Sequence, residues 1–254
     1  MKPYAISSPP FDITSGGIRV MWGLYGWLLA KGQIVFMNQY PTNQDFIAIY
    51  PEIVNGNPMR AKTVVRYMLN KAGVMGGVDQ YGNFTAGPTE FDKTDKLYYF
   101  SRIFGKAQDD NHYMFLPIIN THLFKDQGKQ RTKTCYLIGK GTNRHEHPKD
   151  AVELTRAFAT DQQALADLLN ECTVLYCYDK LSAMMEIARL CGCKVKYYGD
   201  YIEEDLEKYE PTLNGIGLFG HERKLDTEAF RDHYLGMVDL FSKRLDTFIE
   251  ETQQ

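Results

Sequence analysis

Four short stretches carry the residue types that could hold or activate an anionic ligand. Ser15-Gly16-Gly17-Ile18-Arg19 stands at the start of a helical stripe. Small residues let a backbone come close to a ligand, the N–H groups of a first turn attract phosphate or carboxylate, and Arg19 adds a fixed positive charge. Gly139-Lys140-Gly141 follows an apolar run and sets an ammonium between two flexible backbone positions, an arrangement that suits a phosphate. It lacks the spaced glycines and the Lys-Ser/Thr pair of a nucleoside-triphosphate loop. Tyr178-Asp179 precedes Ser182 and Glu186, which share one helix face at four-residue spacing. A hydroxyl near a helix start suits a diphosphate, and a carboxylate one turn further in can accept hydrogen bonds from a ribose diol. Glu52 follows Tyr50-Pro51 at the end of a strand, where open α/β sheets place their ligands. The turn Asn55-Gly56-Asn57-Pro58 comes next, with Lys62 and Arg66 beyond it. Each stretch also has a plainer reading as a cap, a turn or a solvated side chain.

Other clusters argue against particular chemistries. His145-Glu146-His147 has no third ligand nearby in the sequence, Asp109-Asp110-Asn111-His112 reads as a turn, and no metal site is expected. Cys191-Gly192-Cys193 has no second cysteine pair to complete a zinc site. The nucleophile elbow Gly-x-Ser-x-Gly is absent, which argues against an α/β-hydrolase. Five cysteines, an odd count in a chain of this length, read as reduced core residues.

Positioning these loops requires alternating strands and helices. Ile18, Met21, Trp22, Tyr25, Leu28 and Leu29 form one helical stripe that stops at Lys31-Gly32. Strands are expected at 34–37, 45–50, 97–104, 134–138, 173–178 and 194–198, and 113–119 is a further apolar run. Helices are expected at 61–70, 161–170, 181–191 and 226–250, and 73–96 reads as irregular. The alternation argues for α/β with parallel sheets. Lys125–Lys133 is polar and gives the expected boundary between a domain of residues 1–125 and one of 126–254. The 254 residues are 44% hydrophobic, enough for real cores, and the formal charge of -3 gives no overall nucleic-acid footprint. No apolar run is long enough for a membrane span, and the start of the chain lacks a signal-like apolar core, so a cytoplasmic protein is expected.

Four blocks together resemble GT-B glycosyltransferases of the bacterial and phage surface-polysaccharide (O-antigen-like) group. They are Ser15–Arg19; Tyr50–Pro58 with Val65–Lys71; Cys135–Gly141; and Tyr178–Cys193. The resemblance implies two Rossmann-like domains facing a central cleft, with a long C-terminal helix packing back on the N-terminal domain. The N-terminal domain would bind the acceptor and the C-terminal domain a nucleotide-sugar donor, with no metal and no cofactor beyond that co-substrate. By position, Lys140, flanked by Gly139 and Gly141, would meet the diphosphate, Ser182 a phosphate and Glu186 the ribose. Tyr178 and Asp179 line the same site, and Gly16, Gly17 and Arg19 approach the donor from the other domain. Glu52 is the candidate base for an acceptor hydroxyl, with Asn57 and Arg66 as acceptor contacts. Where a retaining branch of the family has its first glutamate, this chain has Tyr178 followed by Asp179, which leaves retention or inversion open. The acceptor would be a glycan or lipid-linked saccharide. A hydroxymethylated base in DNA is the alternative, resting on Arg60, Lys62, Arg66 and Lys71, and a non-catalytic nucleotide- or sugar-binding module is a third reading.

Overall fold

The computed structural model describes residues 1–254 apart from 77–84, 143, 200–202 and 211, and the side chains of 203–205 are also left aside. The expected irregular stretch 73–96 therefore lies partly outside the described residues. The chain divides into two compact units, Met1–Pro117 with Met237–Gln254, and Ile118–Gly236.

The first unit holds β1 (Tyr4–Ile6), α1 (Gly16–Ala30), β2 (Val35–Met37), β3 (Ile47–Pro51), β4 (Thr63–Met68) and β5 (Lys96–Tyr99). All its pairings are parallel, in the order β2-β1-β3-β4-β5. Strands β1 and β3 are buried along their whole length, which is why β3 reads as an unbroken apolar run rather than an alternating one. Helix α1 buries Val20, Met21, Leu24 and Leu28, and stops where Gly32 takes φ +73, a left-handed backbone that glycine adopts without strain. Ala5, Ala48, Tyr50 and Val64 form a second cluster with Phe46 and Ala61. The residues from 237 onward add Phe241, Leu245 and Phe248: Trp27 meets Phe241 edge-on at 5.5 Å, Tyr4 stacks on Phe248 at 5.9 Å, and the Tyr4 hydroxyl lies 2.7 Å from Thr252 Oγ1.

The second unit holds β6 (Lys133–Leu137), β7 (Val152–Glu153), α2 (Gln162–Glu171), β8 (Cys172–Cys177), α3 (Met184–Leu190), β9 (Lys194–Tyr197), α4 (Glu203–Tyr209) and β10 (Ile216–Leu218). The long helix α5 (Thr227–Gln253) begins in this unit and ends in the first. This sheet is parallel too, in the order β10-β9-β8-β6-β7. Counted within each unit, both sheets therefore follow the order 2-1-3-4-5. In such a sheet the connections diverge at the C-terminal ends of the first and third strands, opening a crevice there. Those ends are Ile6 and Pro51 in one unit, Leu137 and Cys177 in the other. Asp161 caps α2 by accepting the Ala164 N–H at 2.9 Å. Leu165 and Leu169 of α2, Met185 and Ala188 of α3, and Cys135, Leu175, Cys177 and Val195 of the sheet are all buried at 0–1% exposure, which identifies one face of the sheet as the core.

Most expected strands and helices occur, with shifted ends, but the expected helix 61–70 is replaced by strand β4, Thr63–Met68. Val64, Val65, Met68 and Leu69 fit helical spacing, yet β4 lies between β3 and β5 with both faces covered, so the alternation that marks a strand is lost. The expected strand 97–104 shrinks to β5, and the apolar run 113–119 contributes only an isolated bridge, Tyr99 to Tyr113. Helix α3 starts at Met184, so Ser182 precedes it. All five cysteines are buried free thiols. Among the described residues no helix is long and apolar enough to cross a membrane.

Candidate functional site

In the second unit the loops after β6 and β8 press together at the C-terminal edge of the sheet. Gly139 takes φ +56, and a Cβ there would run into the Asp179 carboxylate. A Cβ on Gly141 would strike the Tyr178 carbonyl, which as backbone cannot give way. Both glycines are thus required by close approach. Asp179 is 8% exposed and accepts the Leu181 N–H at 3.2 Å and the Lys140 N–H at 3.3 Å. Burial pushes its carboxyl above the ordinary aspartate value, and the Lys140 N–H and ammonium pull it partly back. Gly139, Lys140, Gly141, Tyr178 and Asp179 therefore meet in one place, with the exposed Lys140 presenting positive charge beside a buried carboxylate.

A histidine that the sequence left aside belongs to the same cluster. The Tyr178 hydroxyl accepts the Glu146 N–H at 3.0 Å and lies 2.8 Å from His147 Nδ1. Burial, then the neighbouring His145, lowers the His147 pKa, so its ring is neutral at pH 7. In the tautomer whose Nδ1 accepts the Tyr178 proton, His147 carries its own proton on Nε2. The His147 ring stacks on Tyr136 at 3.8 Å and 7°. The motif His145-Glu146-His147 signalled only a metal, and no three-ligand cluster forms on it among the described residues.

Ser182 and Glu186 lie further along. Ser182 Oγ accepts the Met184 N–H at 3.2 Å and so opens α3. Glu186 is buried, at 5% exposure, and its charge helps to raise the pKa of Tyr209 on α4, after burial itself. It is no solvated surface carboxylate.

In the first unit Glu52, 3% exposed, accepts the Leu69 N–H at 2.9 Å. The Leu69 side chain lies 3.5 Å from where a Gly17 Cβ would stand. Gly17 and Glu52 therefore meet around the residue that follows β4. Ser15 makes no side-chain cap, and Gly16 is exposed at the first turn of α1, with half-buried Arg19 a turn further on. Asn57 and Arg66 spend their polar groups internally. Asn57 Oδ1 accepts from Tyr50 OH and Ala61 N–H, both at 3.1 Å, and its Nδ2 donates to Ala61 O at 2.8 Å. Arg66 is 2% exposed: Nε donates to Asp95 at 2.7 Å, the other nitrogens donate to the Val54 and Gly56 carbonyls, and the guanidinium lies over Tyr50 at 5.0 Å. Lys62 pairs with Asp45 at 2.9 Å. With Arg66 buried and Lys62 paired, the basic strip of Arg60, Lys62, Arg66 and Lys71 is weaker as a phosphate-binding surface than its composition suggests.

These features define a mixed α/β protein built on two parallel five-stranded sheets with a long C-terminal helix. No protein-family model and no curated protein matches the sequence. A solved structure of an uncharacterized protein from Klebsiella pneumoniae subsp. pneumoniae NTUH-K2044 is similar at a TM-score of 0.44 and 11% identity, over 86% of this chain and 92% of that one.

Proposed function

We propose that the protein is a glycosyltransferase of GT-B type that moves a sugar from a nucleotide-sugar donor to an acceptor hydroxyl on a glycan or lipid-linked saccharide. The observation that carries this reading is the Gly139-Lys140-Gly141 loop folded against Tyr178-Asp179 at the crevice of a 2-1-3-4-5 parallel sheet. Ligands of open α/β sheets lie there. A second parallel sheet of the same strand order agrees with it.

The chemistry asks for charge where the leaving diphosphate forms. As the anomeric carbon–oxygen bond breaks, the sugar becomes oxocarbenium-like and negative charge gathers on the diphosphate. An ammonium held beside that group stabilises the transition state more than the ground state. Lys140 is assigned that role, and His147, in the tautomer whose Nδ1 accepts from Tyr178, offers a neutral Nε2–H donor from the same cluster. Glu186 is assigned the ribose, and Glu52 takes the proton of the acceptor hydroxyl. Asn57 and Arg66, committed to their own loop, are left out of the acceptor site.

The test is thermal unfolding with nucleoside diphosphates and nucleotide sugars carrying each common base. One of them should raise the melting temperature by mass action. Lys140→Ala should weaken that ligand roughly ten- to a thousandfold, the range for a lost charge-assisted contact at developing charge. Stabilisation by none of the panel, or equal affinity in the variant, overturns the proposal. Binding without nucleotide release in the presence of acceptors would leave a binding module in its place.

A further inference from the structure

Among the described residues of the second unit, one face of the sheet carries no helix, and that face is aromatic. Steps from β7 to β8, β8 to β9 and β9 to β10 all run the same way across the sheet, so right-handed crossovers carry α2, α3 and α4 over a single face. The step from β6 to β7 runs the other way, and residues 138–151 make it without a helix among those described. Parallel sheets are ordinarily covered on both faces. Side-chain parity agrees: Cys135, Leu175 and Val195 are fully buried, whereas Tyr136, Tyr176 and Lys196, one residue on in each strand, are only partly covered.

Those three residues are cross-strand neighbours in one row, and Tyr198 continues the same face of β9. Tyr176 and Tyr198 lie with rings 6° from parallel at 6.3 Å, and the Lys196 ammonium sits 5.6 Å from the Tyr176 ring. Phe219, 51% exposed, follows β10 at the edge.

We infer that this face binds a neutral glycan chain laid across the strands, with pyranose rings stacked on Tyr176 and Tyr198. Three observations select that occupant. Half-buried aromatic rings offer flat apolar surface with a polar tip, which fits the C–H face and hydroxyl rim of a sugar ring. Neighbouring strands stand about 4.8 Å apart, close to the length of one pyranose unit along a chain. The face carries carboxylates as well as an ammonium: Lys196 pairs with Glu222 at 3.4 Å, and the Tyr136 hydroxyl donates to Glu153 at 3.1 Å. A polyphosphate strand would meet those carboxylates, whereas an uncharged polyhydroxyl chain can use both the carboxylates and the ammonium as hydrogen-bond partners.

This inference goes beyond the transferase reading and does not depend on it, because binding is read without any donor. Maltohexaose, cellohexaose and mannohexaose are titrated calorimetrically into the full chain, with an oligothymidylate as the polyanionic alternative. At least one hexaose should bind with a dissociation constant of about 1 mM or tighter. Tyr176→Ala should weaken it by about tenfold or more, Tyr176→Phe should keep it, and Lys194→Glu should leave it unchanged. Circular dichroism checks folding, and Tyr198→Ala replaces Tyr176→Ala should that variant unfold. The inference is overturned if no hexaose binds at about 10 mM, where a millimolar site would be nearly full. It is equally overturned if both alanine variants bind as wild type, or if the oligothymidylate binds more tightly than every hexaose.

Discussion

Replacing Arg66 by methionine tests how the first unit holds its Glu52 edge. Arg66 is 2% exposed and Asp95, its partner at 2.7 Å, is equally enclosed, with only 4% of its side chain accessible. The same guanidinium ties down the Val54 and Gly56 carbonyls. Methionine keeps most of the volume and removes every one of these donors. A buried pair broken from one side leaves the other charge without compensation, at a cost of about 3–5 kcal/mol. The freed carbonyls belong to a loop that can move toward water, so they add little. Against a unit stability of roughly 5–15 kcal/mol that loss is large. Both tryptophans, Trp22 and Trp27, lie in α1, so their fluorescence during urea unfolding reports on this unit alone. The double variant Arg66→Met/Asp95→Asn should recover at least about 1–2 kcal/mol, because neither partner is then left as an uncompensated buried charge. A single-variant loss below about 1 kcal/mol, or a double variant no better than the single, refutes the reasoning.

Further outcomes follow from other contacts. Gly141→Ala should destabilise the second unit by about 1–3 kcal/mol, as overpacking against a fixed carbonyl does, and weaken the nucleotide ligand as well; a silent substitution in both assays counts against the loop geometry. Burial raises the Asp179 pKa, so the folded chain holds that proton more tightly than the unfolded one. The penalty for its charge is complete above the raised value and fades as pH falls toward the ordinary one. Asp179→Asn should therefore gain stability relative to wild type as pH rises from about 4 to 7, and a constant difference in urea midpoints would contradict this. The cysteines are enclosed, and burial pushes the Cys191 thiol up to about 12, so a thiol-reactive dye should label none in the native protein within minutes and all five once urea unfolds it. Tyr4→Phe should cost about 1 kcal/mol, the usual worth of one buried hydrogen bond, because it strips Thr252 Oγ1 of its partner on β1.

The legible parts of the fold were those whose signal is local. Asp161 before an apolar stripe announces α2, and the short apolar run at 173–178 announces β8. Strand β4 was illegible because burial on both faces erased its period. Strand β1 is three residues between prolines and β10 another three, too short for any pattern. Within the candidate site, Gly139 to Gly141 and Tyr178 to Asp179 could be named from sequence because each follows a strand. Their contact could not, since it depends on β6 and β8 being neighbours. Arg66 offered only a basic side chain; the acid that claims it stands 29 positions away. His147 gave no usable signal, because its partners Tyr136 and Tyr178 are brought to it from separate strands.

The Tyr4–Thr252 hydrogen bond closes the first unit across 248 positions of chain. During synthesis β1 and α1 emerge before residues 118–236, yet Phe248, which stacks on Tyr4 of β1, and Phe241, which meets Trp27 of α1, emerge after them. Residues 118–236 need nothing encoded after them to complete their own sheet. The unit written second can therefore reach its native state first on the ribosome, reversing the N-terminal-first order common in multidomain chains. Until residue 252 is added, the earlier unit waits with an incomplete core, and it is the half of the molecule exposed to misfolding and to chaperones.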